Sequence, residues 1–268
     1  MKRLTPLLPF LAGWILLAST DSLQARSLVN GGLQLALFLL VVCIPAWRTG
    51  RMSYVDIGWP WGLVVIGGVT FFLSDGDPLR LAMVCGIYAL VGGRMGIFAV
   101  KLWRRGALQR ELPRYRYQER RWARAGVTNF AFVRQVEVLV QGLANASFLA
   151  MPAFFVAVNP APAIHWLEAV GFAVALVALM LETVADAQKA RFVARCKAAG
   201  ERNRVCDVGL WRYSRHPNYF FEWMVWNGLV LMAVPALPHL FEVEATFVAV
   251  LLTVGLFFVP RLMYQTLV

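Results

Sequence analysis

Charge is what this 268-residue chain lacks: 15% of it is Asp, Glu, Lys or Arg, against 59% hydrophobic residues, and the mean hydropathy is +0.61. A soluble domain carries about 25% charged residues, so this chain could not solvate its own surface as a cytosolic enzyme does. Acidic groups are scarcest, 15 against 26 Lys and Arg, for a formal charge of +11. Cysteine is also sparse. Cys43 and Cys85 lie in apolar stretches and Cys196 and Cys206 in one basic loop, without a CxxC or a Cys/His cluster. That excludes a disulfide scaffold and a structural zinc site. Neither a GxGxxG nor a P-loop signature occurs, so a nucleotide would have to be held without a Gly-rich loop.

What the chain has is apolar length. Eight stretches can be drawn, at 5–19, 28–47, 59–74, 79–101, 131–158, 163–185, 219–237 and 245–264, where a bilayer needs about 20 helical residues each. The expected fold is all-α, a single integral membrane domain over 1–268 built as a bundle of 7–8 transmembrane helices. The first stretch also resembles a secretory signal, with Lys2-Arg3 ahead of an apolar run. With the N-terminus inside, the segments 1–5, 48–58, 101–127, 186–217 and the C-terminal end hold nearly all the Lys and Arg, whereas the outer segments hold only Arg26 and Arg80. This is the positive-inside arrangement of a multi-pass protein, so the basic excess is read as membrane topology and no nucleic acid is expected as a partner. The polar mass gathers on the inner face.

Ionisable groups within apolar helices are costly and point to function. Arg134, Glu137, Gln141 and Asn145 recur at helical pitch in the fifth stretch, a stripe expected to line a wet cavity or to bond neighbouring helices. Glu182, Asp186 and Lys189 repeat that spacing at the inner end of the sixth, and Asn218 and Glu222 share a face of the seventh. Arg94, deep in the fourth, must pair with a carboxylate of this set or with a ligand phosphate. Together four helices are expected to bring polar groups to one membrane depth, as a ligand site between helices does.

The most distinctive run is Gly209-Leu210-Trp211-Arg212-Tyr213-Ser214-Arg215-His216-Pro217-Asn218-Tyr219. Pro217 suits the first turn of a helix, and Arg212, Arg215 and His216 precede a helix N-terminus whose free amides favour anions. Trp211, Tyr213 and Tyr219 offer faces for a purine. A basic loop touching anionic lipid heads is the plainer alternative.

This run with Glu222, preceded by Glu182-x3-Asp186-x-Gln188-Lys189, resembles the membrane steroid 5α-reductase superfamily, and Tyr54-Val55-Asp56-Ile57-Gly58-Trp59-Pro60-Trp61-Gly62 is similar to the early motif of its bacterial branch, domain of unknown function 1295. The resemblance covers about 50–225 and implies a bacterial inner-membrane reductase, a monomer, with NADPH held on the cytoplasmic side by the half at about 130–225. Carried over by motif, Asp186, Tyr213, Asn218 and Glu222 would bond the cofactor, with Glu182, Lys189, Trp211, Ser214 and His216 around it and Arg191, Arg195, Arg212 and Arg215 for its phosphates. The implied reaction saturates a C=C bond conjugated to a carbonyl in an apolar lipid or steroid-like substrate. Asp56 would stand for the carboxylate that holds the substrate carbonyl in the steroid-reducing members. The position of their fourth-helix Tyr is Val91 here, which leaves Tyr88 or Tyr54 to supply a phenol. Asp56 could instead cap its own helix.

Two further readings stay open. Membrane methyltransferases of the isoprenylcysteine and phospholipid type carry a related Arg-His-Pro-x-Tyr motif, matched by Arg215–Tyr219, with S-adenosylmethionine as cofactor. A non-enzymatic lipid-binding protein would need the basic loops but not the intramembrane polar groups.

Overall fold

The computed structural model describes residues 4–202 and 204–240, and among these every regular element is a helix. Six are long and apolar enough to cross a bilayer: α2 (Asp21–Thr49), α3 (Val55–Phe72), α4 (Pro78–Arg104), α6 (Phe130–Ala157, turned once between Ala146 and Met151), α7 (Trp166–Ala198) and α8 (Pro217–Leu240). The chain is a multi-pass membrane protein. A shorter apolar helix, α1 (Leu8–Ser19), precedes them, and a charged helix, α5 (Pro113–Arg124), lies between α4 and α6. The stretch at 245–264 falls outside the described residues.

Two expected boundaries are corrected. α2 begins at Asp21, not 28, because the polar Asp21, Ser22 and Gln24 are carried in one helix with Leu23 and Ser27, which are fully buried. α7 does not end at 185: its 33 residues run on to Ala198, about 50 Å at 1.5 Å per residue. Asp186, Lys189, Arg191, Arg195 and Cys196 therefore stand on a continuous helix rather than in a loop. Nothing in 186–198 breaks the pattern, since it holds neither Pro nor Gly, and Arg195 and Lys197 in the last turn complement the helix dipole.

Packing in a bilayer relies on close approach, since lipid is as apolar as a side chain. α3 packs chiefly on α4, and α7 on α8. Gly171 and Gly228 face each other so tightly that a Cβ on either would meet the other's carbonyl oxygen at 2.5 Å. The two ends of the bundle differ. At one, Arg80 and Glu168 are buried and paired at 2.5 Å, with Asn159 and the carbonyls of Asn159 and Ala163 completing the bonds. Arg94, Asp56 and the start of α8 belong to the other, basic end.

Candidate functional site

Arg94 lies ten residues before the end of α4 and meets α7 and α8 there. Its guanidinium pairs with Glu182 and, at 2.8 Å, with Asp186. Asp186 accepts a second bond, from Asn218 Nδ2 at 3.2 Å. Each helix supplies a pair one turn apart, Glu182 and Asp186 on α7, Asn218 and Glu222 on α8, which is why both members face the same place. Glu222 is within electrostatic reach of Arg94, Glu182 and Asp186. Arg94 does pair with carboxylates, as its depth required. Three carboxylates nonetheless face one guanidinium, and Glu182 Oε2 and Asn218 Oδ1 are buried without a partner among the described residues. Leaving such acceptors unbonded costs about 1–3 kcal/mol each, and Arg94 Nε, a donor in the same cluster, is buried without a partner among the described residues as well.

The basic run docks onto the extension of α7. Leu210 N donates to Gln188 Oε1 at 2.9 Å and Trp211 Nε1 to the Ala185 carbonyl at 2.8 Å, while Lys189 Nζ sits 4.4 Å from the Trp211 ring. Gly209 makes this possible: its φ of 55° is left-handed, and a Cβ there would strike the Gln188 amide. Trp211 is buried and its face is taken by Lys189, so it anchors the loop and is not free to stack on a purine. Arg212, Ser214 and Arg215 are exposed and Tyr213 is 89% exposed. His216 stacks on Tyr219 at 5.3 Å, and Pro217 occupies the first helical position of α8, as its ring favours. Arg191 and Arg195 are exposed on α7. An open hollow of about 500 Å³ runs beside the loop, lined in part by Cys206, Asp207, Trp211 and Arg212.

Asp56 lies in the first turn of α3 and does not cap it. It accepts instead from Tyr115 Oη at 2.7 Å and from Arg114, both on α5. Burial, then the neighbouring Asp56 charge, push the Tyr115 phenol well above its ordinary range, so it remains a donor. Tyr219 joins this group to the Arg94 cluster, being within electrostatic reach of Arg114 and Asp56 on one side and of Glu222 and Asp186 on the other. Tyr54, beside Asp56, takes a 3.3 Å bond from Arg51. Tyr88 is elsewhere: it is buried against Trp226 and donates to the Leu149 carbonyl at 2.5 Å. The phenol at Asp56 is thus Tyr115, which sequence reasoning missed. The signal was the spacing of Tyr115, Gln118 and Trp122, the inward face of an otherwise charged helix.

The stripe of the fifth stretch does not join this site. Arg134 pairs with Glu119 of α5 at 2.9 Å, Glu137 faces Arg121, and Asn145 donates to the Trp59 carbonyl at 3.0 Å and lies in a buried amide network with Asn30 and Gln34. Arg134 and Asn145 bond helix to helix, and three helices, α4, α7 and α8, build the Arg94 cluster.

No curated protein and no solved structure matches the chain. A model of the family described as "Protein of unknown function (DUF1295)" matches residues 38–264, a span that takes in α3 with Asp56 and the whole of the cluster on α4, α7 and α8. The chain belongs to that family.

Proposed function

We propose that the protein is an NADPH-dependent membrane reductase that saturates a C=C bond conjugated to a carbonyl in an apolar lipid or steroid-like substrate. The observation that carries this reading is the pair of buried, unpartnered acceptors, Glu182 Oε2 and Asn218 Oδ1, one helical turn from further acidic groups and beside a helix N-terminus ringed with arginine. Those acceptors fit the hydroxyl and carboxamide donors of a nicotinamide nucleoside. Arg212 and Arg215 before α8, with Arg191 and Arg195 on α7, fit its phosphates. The resemblance of both motifs to the steroid 5α-reductase superfamily points the same way. The positive-inside charge pattern supports a cytoplasmic setting for this end of the bundle.

When bound, the cofactor would supply the hydride to the alkene. The chain's own residues have the remaining tasks. Glu182, Asp186 and Asn218, held by Arg94, orient the donor-bearing end of the nucleotide. Tyr115 Oη, whose one proton is given to Asp56, would turn from that bond to meet a carbonyl oxygen as it gains charge. The amide network of Asn30, Gln34 and Asn145 keeps α2, α3 and α6 in place beneath it.

One observation favours a second reading. Three carboxylates against one guanidinium would also suit a cationic ligand such as S-adenosylmethionine, and a methyltransferase of the isoprenylcysteine type would use it. Thermal unfolding in mild detergent with NADPH, NADH or S-adenosylmethionine separates the two. A ligand at about 100 times its Kd stabilises by about 2.7 kcal/mol. A rise in Tm with NADPH alone supports the reductase, and a rise with S-adenosylmethionine alone overturns it.

A further inference from the structure

Helix α5 has an unusual division of charge. The segment 101–127 holds nine Lys and Arg but only two acids, Glu111 and Glu119. Both acids are turned inward and bonded: Glu111 accepts from the backbone amides of Met52 and, at 2.9 Å, of Leu112, and Glu119 is paired with Arg134. Arg114 is likewise spent on Asp56. With its negative charges consumed by the bundle, the outer face of α5 is left purely basic. Arg116, Arg120 and Arg124 recur every fourth residue along it, all exposed, so they form one stripe.

The level of this stripe is marked independently. α5 is fastened to the first turn of α3 by Asp56 and to the start of α6 by Arg134, so it lies across the ends of spanning helices rather than away from them. Trp47, Trp103, Tyr117 and Phe132 are 66%, 52%, 43% and 43% exposed at this same end, and exposed Trp and Tyr at helix ends are the mark of the headgroup layer.

We propose that α5 is an in-plane helix whose Arg116–Arg120–Arg124 stripe binds the phosphates of anionic lipid headgroups, so that an acidic leaflet holds the helix, and with it Tyr115, against the bundle. The inference rests on charge placement and on the tie between α5 and Asp56, and it stands whichever small molecule the protein uses. Each basic residue at an acidic leaflet is worth about a factor of five in binding, so neutralising all three weakens the contact on the order of a hundredfold.

The test is hydrogen exchange of the 113–124 backbone in the full chain, reconstituted in nanodiscs of phosphatidylcholine alone or with phosphatidylglycerol added. Slower exchange is expected with phosphatidylglycerol only, reversed by salt at about 0.5 M, where screening reaches a few ångströms. The Arg116→Gln/Arg120→Gln/Arg124→Gln variant should not respond to phosphatidylglycerol, while its α3 and α4 peptides exchange as in the wild type. Equal exchange in the two discs overturns the proposal. So does protection by inorganic phosphate in phosphatidylcholine discs as large as that given by phosphatidylglycerol, which would make the stripe a site for a soluble anion. If the triple variant unfolds, Arg120→Gln alone is read in the same discs, with a severalfold smaller response expected and an unchanged one counting against the stripe.

Discussion

Tyr115 donates its phenolic proton to Asp56 across 2.7 Å, tying a charged helix outside the spanning segments to the first turn of α3. A phenol in an unfolded chain titrates near 10, whereas burial and the Asp56 charge hold this one well above that. Above about pH 10 the native state keeps a proton that the unfolded chain has released, so the contribution is whole below that pH and is lost as pH rises further. The stability of the wild type should therefore fall faster than that of Tyr115→Phe between about pH 9 and pH 11, by up to about 1.4 kcal/mol per pH unit, read as a steeper fall in Tm. Parallel curves for the two proteins would show that the phenol is not buried against Asp56.

Arg94 is predicted to matter more for what it neutralises than for the bond it makes. Removing one partner of a buried pair costs about 3–5 kcal/mol because the other charge is stranded; with Arg94 24% exposed, the lower end, about 3 kcal/mol, is expected for Arg94→Ala. Arg94→Ala/Glu182→Gln should recover part of the loss, because the most buried of the facing carboxylates then carries no charge. A double variant as unstable as the sum of its singles would mean that the two side chains are uncoupled.

At the far end, Arg80 and Glu168 serve as an internal control. Both are buried, and Arg80→Ala should cost about 3–5 kcal/mol. It should leave the NADPH-induced rise in Tm unchanged, since the pair lies at the opposite end of α4 and α7. Loss of that rise at matched folded fraction would tie the two ends together.

Asn218→Ala and Glu222→Ala are each expected to abolish stabilisation by NADPH while the protein remains folded in detergent. Tight NADPH binding by both variants would remove the cluster from the candidate site.

Gly209→Ala forces a side chain into a left-handed conformation, worth about 1–3 kcal/mol, and drives its Cβ into Gln188. The cost should be local. Limited proteolysis across 199–216 should quicken severalfold while global Tm moves little; unchanged cleavage would mean that the loop is not held through Gln188.

Much of this molecule was legible from its residues in order. Low charge with long apolar runs permits only a helical membrane protein, because bilayer lipid cannot satisfy an open backbone. Helical pitch alone placed Glu182 with Asp186 and Asn218 with Glu222 on shared faces, and Pro217 at the start of α8, because these are relations within one or two turns. The family was legible too, since its motifs are contiguous.

Relations across the bundle could not be read that way. No spacing rule tells whether Arg134 meets a ligand or Glu119, or whether the phenol beside Asp56 is Tyr88 or Tyr115, because the partners are brought together only when the helices pack. The helix limit at 185 was set by hydropathy, whereas α7 continues to Ala198 because its backbone has no reason to stop and Gln188 and Ala185 receive the returning loop. Sequence determined which polar groups would stand within the helices; tertiary structure decided which of them satisfy one another, pairing Arg94 with Glu182 and Asp186 and Arg134 with Glu119 while leaving Glu182 Oε2, Asn218 Oδ1 and Asn145 Oδ1 unpartnered among the described residues.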